Sequence, residues 1–386
     1  MHLNQPAQSD YHMIKTKLVF IALIILTHSW FNVLIACKYN VRETGFADFG
    51  RQQYHFFGFV NHKTPNNIII NFEQACSSVF MDCNIVSEII DINKQRDHYA
   101  IQYISQYNIH SFPSGVLVSS DSQVFVINFP TSKPISKKTF ESVLGRIAYS
   151  PLRNALIEKT IKTYGVILII EGTNQTENER VRESANQAIS AIQSQMKFMP
   201  KMIKHPPEVL ILQRKHFQDE KILLWSLGLD EINIHDTYAA IIYGKTRWIG
   251  PLLKGEDINK INLANILSII GLDCECGLDM RVMQGIMLPV KWDEKTHARL
   301  VKHLSFDPEN PVIKLDMNRI LRKGLAGSPG TPVYPQSQGT NTNNQYDPLY
   351  VIDDQSYIIK PLYYLGVLSL LVIIIGLLFV IKRRKN

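Results

Sequence analysis

The sequence predicts an α/β protein followed by a single C-terminal transmembrane helix. Three observations carry this. Runs of β-branched and aromatic residues alternate with amphipathic helical stretches from residue 55 onward, and the same order starts again near residue 164. Residues 362–381, LYYLGVLSLLVIIIGLLFVI, hold no charge. Twenty residues at ~1.5 Å each make ~30 Å of helix, the thickness of the hydrocarbon core. Lys382, Arg383, Arg384 and Lys385 follow at once, and such a cluster marks the cytoplasmic end of a span. The chain before the span is therefore expected on the extracytoplasmic side.

The 386 residues carry 41 Lys and Arg against 34 Asp and Glu, a net charge of +7. Four of the positive charges sit in the terminal tail 382–386, and no dense basic stripe remains, which argues against nucleic-acid binding. Lys15 and Lys17 precede the apolar run 18–26, the layout of an export signal. Residues 1–36 are thus expected to be a signal peptide or an N-terminal membrane segment. Leu34-Ile35-Ala36-Cys37 resembles a bacterial lipobox with Cys37 as the lipidated residue. Ordinary cleavage after Ala36 and retention as an anchor stay open beside it. The compartment follows from these fates: a bacterial periplasm is favoured, and the lumen of a secretory pathway is the alternative.

The elements run as follows. Residues 55–60, HFFGFV, have a buried-strand pattern, and 66–80 form a helix. The β-branched run 84–92 is a second strand. Residues 97–107 form a helix capped by Asp97. SFPSGVLVSS and QVFVINF make a hairpin, and 136–147 close the unit. The second unit opens with a strand at 164–170. Thr176 to Glu179 read as a capping box ahead of Val181, Ala185, Ala188, Ile189, Ile192 and Met196 at helical spacing. Strand 208–213, helix 219–227 and a hairpin around Gly244 and Lys245 follow. Ile258, Ile261, Ile266, Leu267 and Ile270 are expected to line the last helix of that unit. Residues 277–321 read as a tail module with a helix at 293–304 and an extended segment at 310–315. Too short to fold alone, it is expected to pack on the second unit. Residues 322–360 begin with Gly, Pro, Ser, Thr and Asn, which cannot build a core and suit a flexible stalk.

The order β-α-β-α-β-β-α resembles the thioredoxin fold. Ser111-Phe112-Pro113-Ser114-Gly115-Val116 carry the resemblance, because thioredoxin-like domains place a cis-proline directly before the third core strand, where Pro113 stands. The implied fold class is two tandem thioredoxin-like three-layer domains, 38–150 and 151–276, plus the transmembrane helix 361–381. Matching the two hairpins puts Thr237 at the position of Pro113, so the second unit lacks the proline.

A redox thioredoxin needs Cys-x-x-Cys where its first helix begins, because the helix N-terminus stabilises the thiolate. The corresponding stretches, 61–67 and 172–176, contain no cysteine. The five cysteines are Cys37, Cys76, Cys83, Cys274 and Cys276. Export permits pairing, which makes Cys76 and Cys83 a structural disulfide candidate, with free thiols as the alternative. A disulfide across Glu275 alone would be strained and oxidising, so Cys274 and Cys276 are the redox candidates, with a local structural disulfide or unreactive thiols as the plainer reading. Soft-metal capture by these two with His297 or His303 matches no standard zinc spacing, and neither a metal site nor a cofactor is expected. His297 and His303 read as solvated, and Trp225, Trp248 and Trp292 as core or interface residues. Arg281, Lys291, Asp293 and Glu294 could line a cleft beside the tail. Asn174-Gln175-Thr176 is a glycosylation sequon if the compartment is a secretory lumen. No complete catalytic constellation is present. The expectation is a single-pass membrane protein whose redox-inactive domains hold a protein partner. The alternatives are a thiol-disulfide oxidoreductase or isomerase using Cys274-Glu275-Cys276, or soft-metal delivery.

Overall fold

The computed structural model describes residues 38–50, 52–130, 136–199, 201, 203–230, 233–272 and 285–325. Cys37, Cys274, Cys276, Arg281 and the apolar stretches 18–26 and 362–381 lie outside them. Among the described residues no helix is long and apolar enough to cross a membrane.

The first sheet has the order β2-β1-β3-β4. Strand β1 (Tyr54–Val60) runs parallel to β2 (Ile85–Asp91) and antiparallel to β3 (Ser114–Val118), which pairs antiparallel with β4 (Val124–Asn128). Side chains alternate between the two faces of a strand. One face directs Phe56, Leu117 and Ile127 at helices α2 (Asn66–Phe80) and α4 (Lys137–Ala148), where Phe72 stacks on Phe140 with centroids 4.5 Å apart. The other face directs Phe57, Phe59, Val116 and Val118 at a 3-10 turn (Tyr99–Ile101) and helix α3 (Gln102–Gln106). The turn is capped by the ring of His98, which accepts from the Ala100 amide, and not by Asp97. The cause is local: His98 stands one residue before the turn, which begins at Tyr99. The Phe112–Pro113 peptide is cis, and Ser114 opens β3 directly after it.

The second sheet has the order β6-β5-β7-β8-β9. Strand β5 (Val166–Ile170) is parallel to β6 (Glu208–Leu212) and antiparallel to β7 (Tyr238–Tyr243), which pairs with β8 (Arg247–Lys254). All five residues of β5 are buried, which explains its uninterrupted aliphatic sequence. Ile167 and Ile169 pack under α6 (Gln175–Met196) and α8 (Lys260–Ile270), while Leu168 and Ile170 pack under α5 (Pro151–Lys162) and α7 (Lys221–Ser226). Both sheets share a thioredoxin-like strand order. The cap of α6 is Asn174, whose side chain accepts from the Glu177 amide; the helix starts too early for Thr176 to cap it. On α8 the buried positions are Leu263, Leu267 and Ile270, and Ile261 is exposed because it lies off that stripe.

Residues 38–50, expected in the first domain, pack on the second. Asn40 and Glu43 form a capping box on the short helix α1 (Val41–Thr44). Tyr39, Val41 and Ala47 enter the core under α6 and α8. The buried Arg42 donates to the carbonyls of Thr160 (3.1 Å), Ile161 (2.7 Å) and Thr163 (2.8 Å). Gly244 has φ +53°, and a Cβ there would lie 2.5 Å from the carbonyl of Gly45. Only glycine fits both the turn and the contact.

The tail supplies β9 (Ile286–Met287), α9 (Glu294–Leu304) and α10 (Pro311–Leu325). Of segment 310–315, residues 311–315 belong to the helix α10 and are not extended; Met317 and Leu321, both fully buried one helical turn apart, hold it to the second core. The helix continues four residues past 321, so 322–325 are not stalk. The tail packs on the second sheet and also on the first domain. Asn84 Nδ2 donates to the Leu288 carbonyl at 3.0 Å, and its Oδ1 accepts from the Val290 amide at 3.0 Å. The Tyr54 hydroxyl donates to the Met287 carbonyl at 3.1 Å. Trp225 touches Tyr54 and Phe125 at centroid distances of 5.9 and 5.7 Å.

Candidate functional site

In the first domain the site lies where β1 gives way to α2. Asn61 organises the turn: its Oδ1 accepts from the Lys63 amide at 3.0 Å and the Thr64 hydroxyl at 3.2 Å. The His62 amide donates to Asn93 Oδ1 at 2.8 Å. Pro65 precedes the helix without a side-chain cap, and the first turn contains no acidic residue. The helix dipole therefore points at Asn66 and Asn67, neither of which ionises. Behind it, Ser114 is buried with no hydrogen-bond partner for its hydroxyl among the described residues.

The same position in the second domain is closed. Asn178 is 3% exposed. Its Oδ1 accepts from the Gly172 amide at 3.0 Å and from the Thr237 hydroxyl at 2.6 Å, and its Nδ2 donates to the Gly172 carbonyl at 3.3 Å. The Thr173 amide donates to the His235 carbonyl at 2.8 Å. A Cβ at Gly172 would lie 2.5 Å from the His235 carbonyl oxygen, so the two loops meet with no space between them. Thr237 occupies the position before β7 that Pro113 holds before β3.

Cys76 and Cys83 are free thiols and do not form the expected disulfide. Cys76 faces the core under α2, while Cys83 turns back on the Val79 carbonyl at 3.5 Å. Burial pushes the Cys76 thiol far up and the Cys83 thiol up to about 12, Lys291 and Arg153 offsetting only part of the latter. Neither offers a thiolate at neutral pH. Cys83 borders a small cavity of about 210 Å³ together with Asp48, Asp82, Asn84, Lys245 and Trp292. None of Lys291, Asp293 and Glu294 lines it. Lys291 pairs with Asp82 at 3.9 Å, and Asp293 caps α9. His297 meets Asp307 at 3.1 Å, whereas burial together with Arg42, His205, Lys204 and Lys162 lowers His303. Among the described residues no group of three or more His, Cys, Asp or Glu could hold a metal ion. Trp225 and Trp292 sit at packing interfaces, and the Trp248 indole nitrogen is buried without a partner among the described residues.

The residues that sequence reasoning missed are buried arginines that bind carbonyls. Arg153 donates to the carbonyls of Ile147 (2.6 Å), Arg146 (2.7 Å) and Pro289 (2.6 Å), thereby joining the first domain to the tail. Arg247 reaches the Gly45, Ala47 and Gly285 carbonyls at 2.8, 2.9 and 3.2 Å. An arginine inside a helix or strand reads as a surface residue, so only long-range contacts expose this role.

No family model and no curated protein matches the chain. Solved structures do. The first two thioredoxin domains of Saccharomyces cerevisiae Eps1p align over 60% of this chain and 97% of that one, at 10% identity and a TM-score of 0.21. Those of Naumovozyma dairenensis Eps1p align over 54% and 88%, at 10% identity and 0.19. The zinc-bound form of human ERp44 aligns over 58% of this chain and 56% of that one, at 11% identity and 0.21. The strand orders β2-β1-β3-β4 and β6-β5-β7-β8 are themselves thioredoxin-like.

Proposed function

We propose that this chain is a membrane-anchored, extracytoplasmic interaction protein in which two thioredoxin-like domains serve as a redox-inactive scaffold for a protein partner. The observation that carries this is the chemistry at the two helix starts. One is a hydrogen-bonded Asn61–Thr64 turn without a thiol, and the other is locked by Asn178 and Thr237. Dithiol exchange needs a thiolate at that position. The remaining described thiols are held protonated by burial. The sequence features at 362–381 and 382–385 support the anchor and its direction.

The test is a redox titration of the full chain in glutathione buffers, with trapped thiols read by mass spectrometry. Cys76 and Cys83 stay reduced and unreactive in the folded chain, and no disulfide reductase activity accompanies them. A Cys274–Cys276 pair with a midpoint between about −120 and −270 mV, the range of oxidoreductases, overturns the reading in favour of an enzyme. Soft-metal binding abolished by Cys274→Ser with Cys276→Ser overturns it in favour of metal delivery.

A further inference from the structure

We infer that one end of the second domain is a docking surface for an anionic lipid bilayer, an inference that rests on the membrane-anchored reading. After α6, Lys197 and Phe198 stand exposed, the ring 79% accessible with the Lys197 ammonium 4.8 Å from its centroid. Lys204 and His205 are exposed on the same connection. Lys201 binds the Lys38 carbonyl and Glu43, and Lys38 pairs with Asp316 on α10. These contacts link the connection, the start of the described chain and α10. On α10, Val312 is 75% and Leu315 53% exposed, and Arg319 is exposed on the same stripe. Leu315 also borders Asp48, Glu309, Lys245 and Lys314, two charges of each sign, so the excess of Lys38, Lys197, Lys201, Lys204 and Arg319 over Glu43 and Asp316 stands.

Single apolar residues on a surface need no explanation, but a phenylalanine and two aliphatics set among lysines form the composition that seats in an anionic interface. The exits of the chain decide the occupant. Lys38 adjoins Cys37, the lipidation candidate, and lies beyond the apolar run 18–26. The other exit is the end of α10, after which residues 326–361 lead to the apolar stretch. A stalk of that length, the reading its composition gives, spans about 30 Å on average and puts headgroups within reach of this face. Anionic headgroups in the leaflet facing the extracytoplasmic side attract each lysine, while the apolar side chains enter the acyl boundary.

The full chain carrying Phe198→Trp, reconstituted in vesicles with brominated acyl chains, tests this. The added indole is expected to be quenched when phosphatidylserine is present and not in phosphatidylcholine alone. In the Lys197→Glu/Lys204→Glu variant of the same full chain, whose two positions are exposed, the quenching in phosphatidylserine vesicles is lost. Equal emission in both lipids overturns the docking face, as does binding to an acidic polypeptide without binding to vesicles. Alkaline extraction keeps the two readings apart. A chain that resists extraction yet shows no quenching retains its anchor and loses the docking face. A chain that is extracted yet still partitions into anionic vesicles loses the anchor and keeps the face.

Discussion

At the scale of single residues, Arg153 is a buried cation held by main-chain carbonyls. It is 1% exposed, and burial lowers its guanidinium to about 10, so it stays charged at neutral pH. Its charge is met by three carbonyls and the Ser150 hydroxyl, with Glu220 beyond. Arg153→Ala leaves those acceptors buried and unpaired, and urea denaturation should register a loss of about 3–5 kcal/mol. Glu220 gives a pH dependence. Burial raises its carboxyl above the ordinary value, although Ser150, Leu152 and Arg153 pull it down. The folded chain then keeps this proton at pH values where the unfolded chain has released it. The stabilisation is complete below the ordinary glutamate value and is lost as pH rises through the raised one. Denaturation midpoints of Glu220→Gln, measured across that window, should lack this decline.

At the scale of elements, the closed turn of the second domain makes a local prediction. Gly172→Ala places a methyl group against the backbone of 235–237, and overpacking of this kind costs about 1–3 kcal/mol. Thermal unfolding checks it, and amide exchange at Thr173 should rise as its bond to His235 loosens. The short helix α1 depends on Asn40, whose side chain accepts from the Glu43 amide at 2.8 Å while the Asn40 amide donates to Glu43 at 3.0 Å. Asn40→Ala should cost about 1 kcal/mol in equilibrium unfolding, and amide exchange at Val41, which donates to Leu272, should report the release of the segment.

At the scale of the molecule, the tail is the joint. Its backbone at 287–290 accepts from Tyr54, Asn84 and Arg153 and donates to Asn84, while β9 extends the second sheet. The described residues 38–325 accordingly form one compact unit. Calorimetry of the parent chain should show the two sheets melting together. Asn84→Ala, which removes both side-chain bonds to the tail, should split that transition, with the first sheet melting at the lower temperature. A single unshifted transition in the variant would show that Trp225 and Arg153 hold the joint without Asn84.

The sequence by itself determined the two strand–helix series, because period-2 and period-3.6 patterns are local and the short β-branched run of β5, bounded by glycines, favours a buried strand. It also located Pro113 before β3 and showed that no thiol stands at either helix start, since both are matters of residue identity. Tertiary structure decided the rest. Residues 38–50 reach the second core through Tyr39, Val41 and Arg42, partners more than a hundred residues away. Residues 311–315 became helix because Met317 and Leu321, beyond the predicted segment, anchor them. The state of Cys76 and Cys83 followed from the direction each thiol takes, which spacing does not encode. The lock at Asn178 and the carbonyl-binding arginines follow the same rule: a polar side chain owes its role to the groups the fold brings to it, and those lie far along the chain.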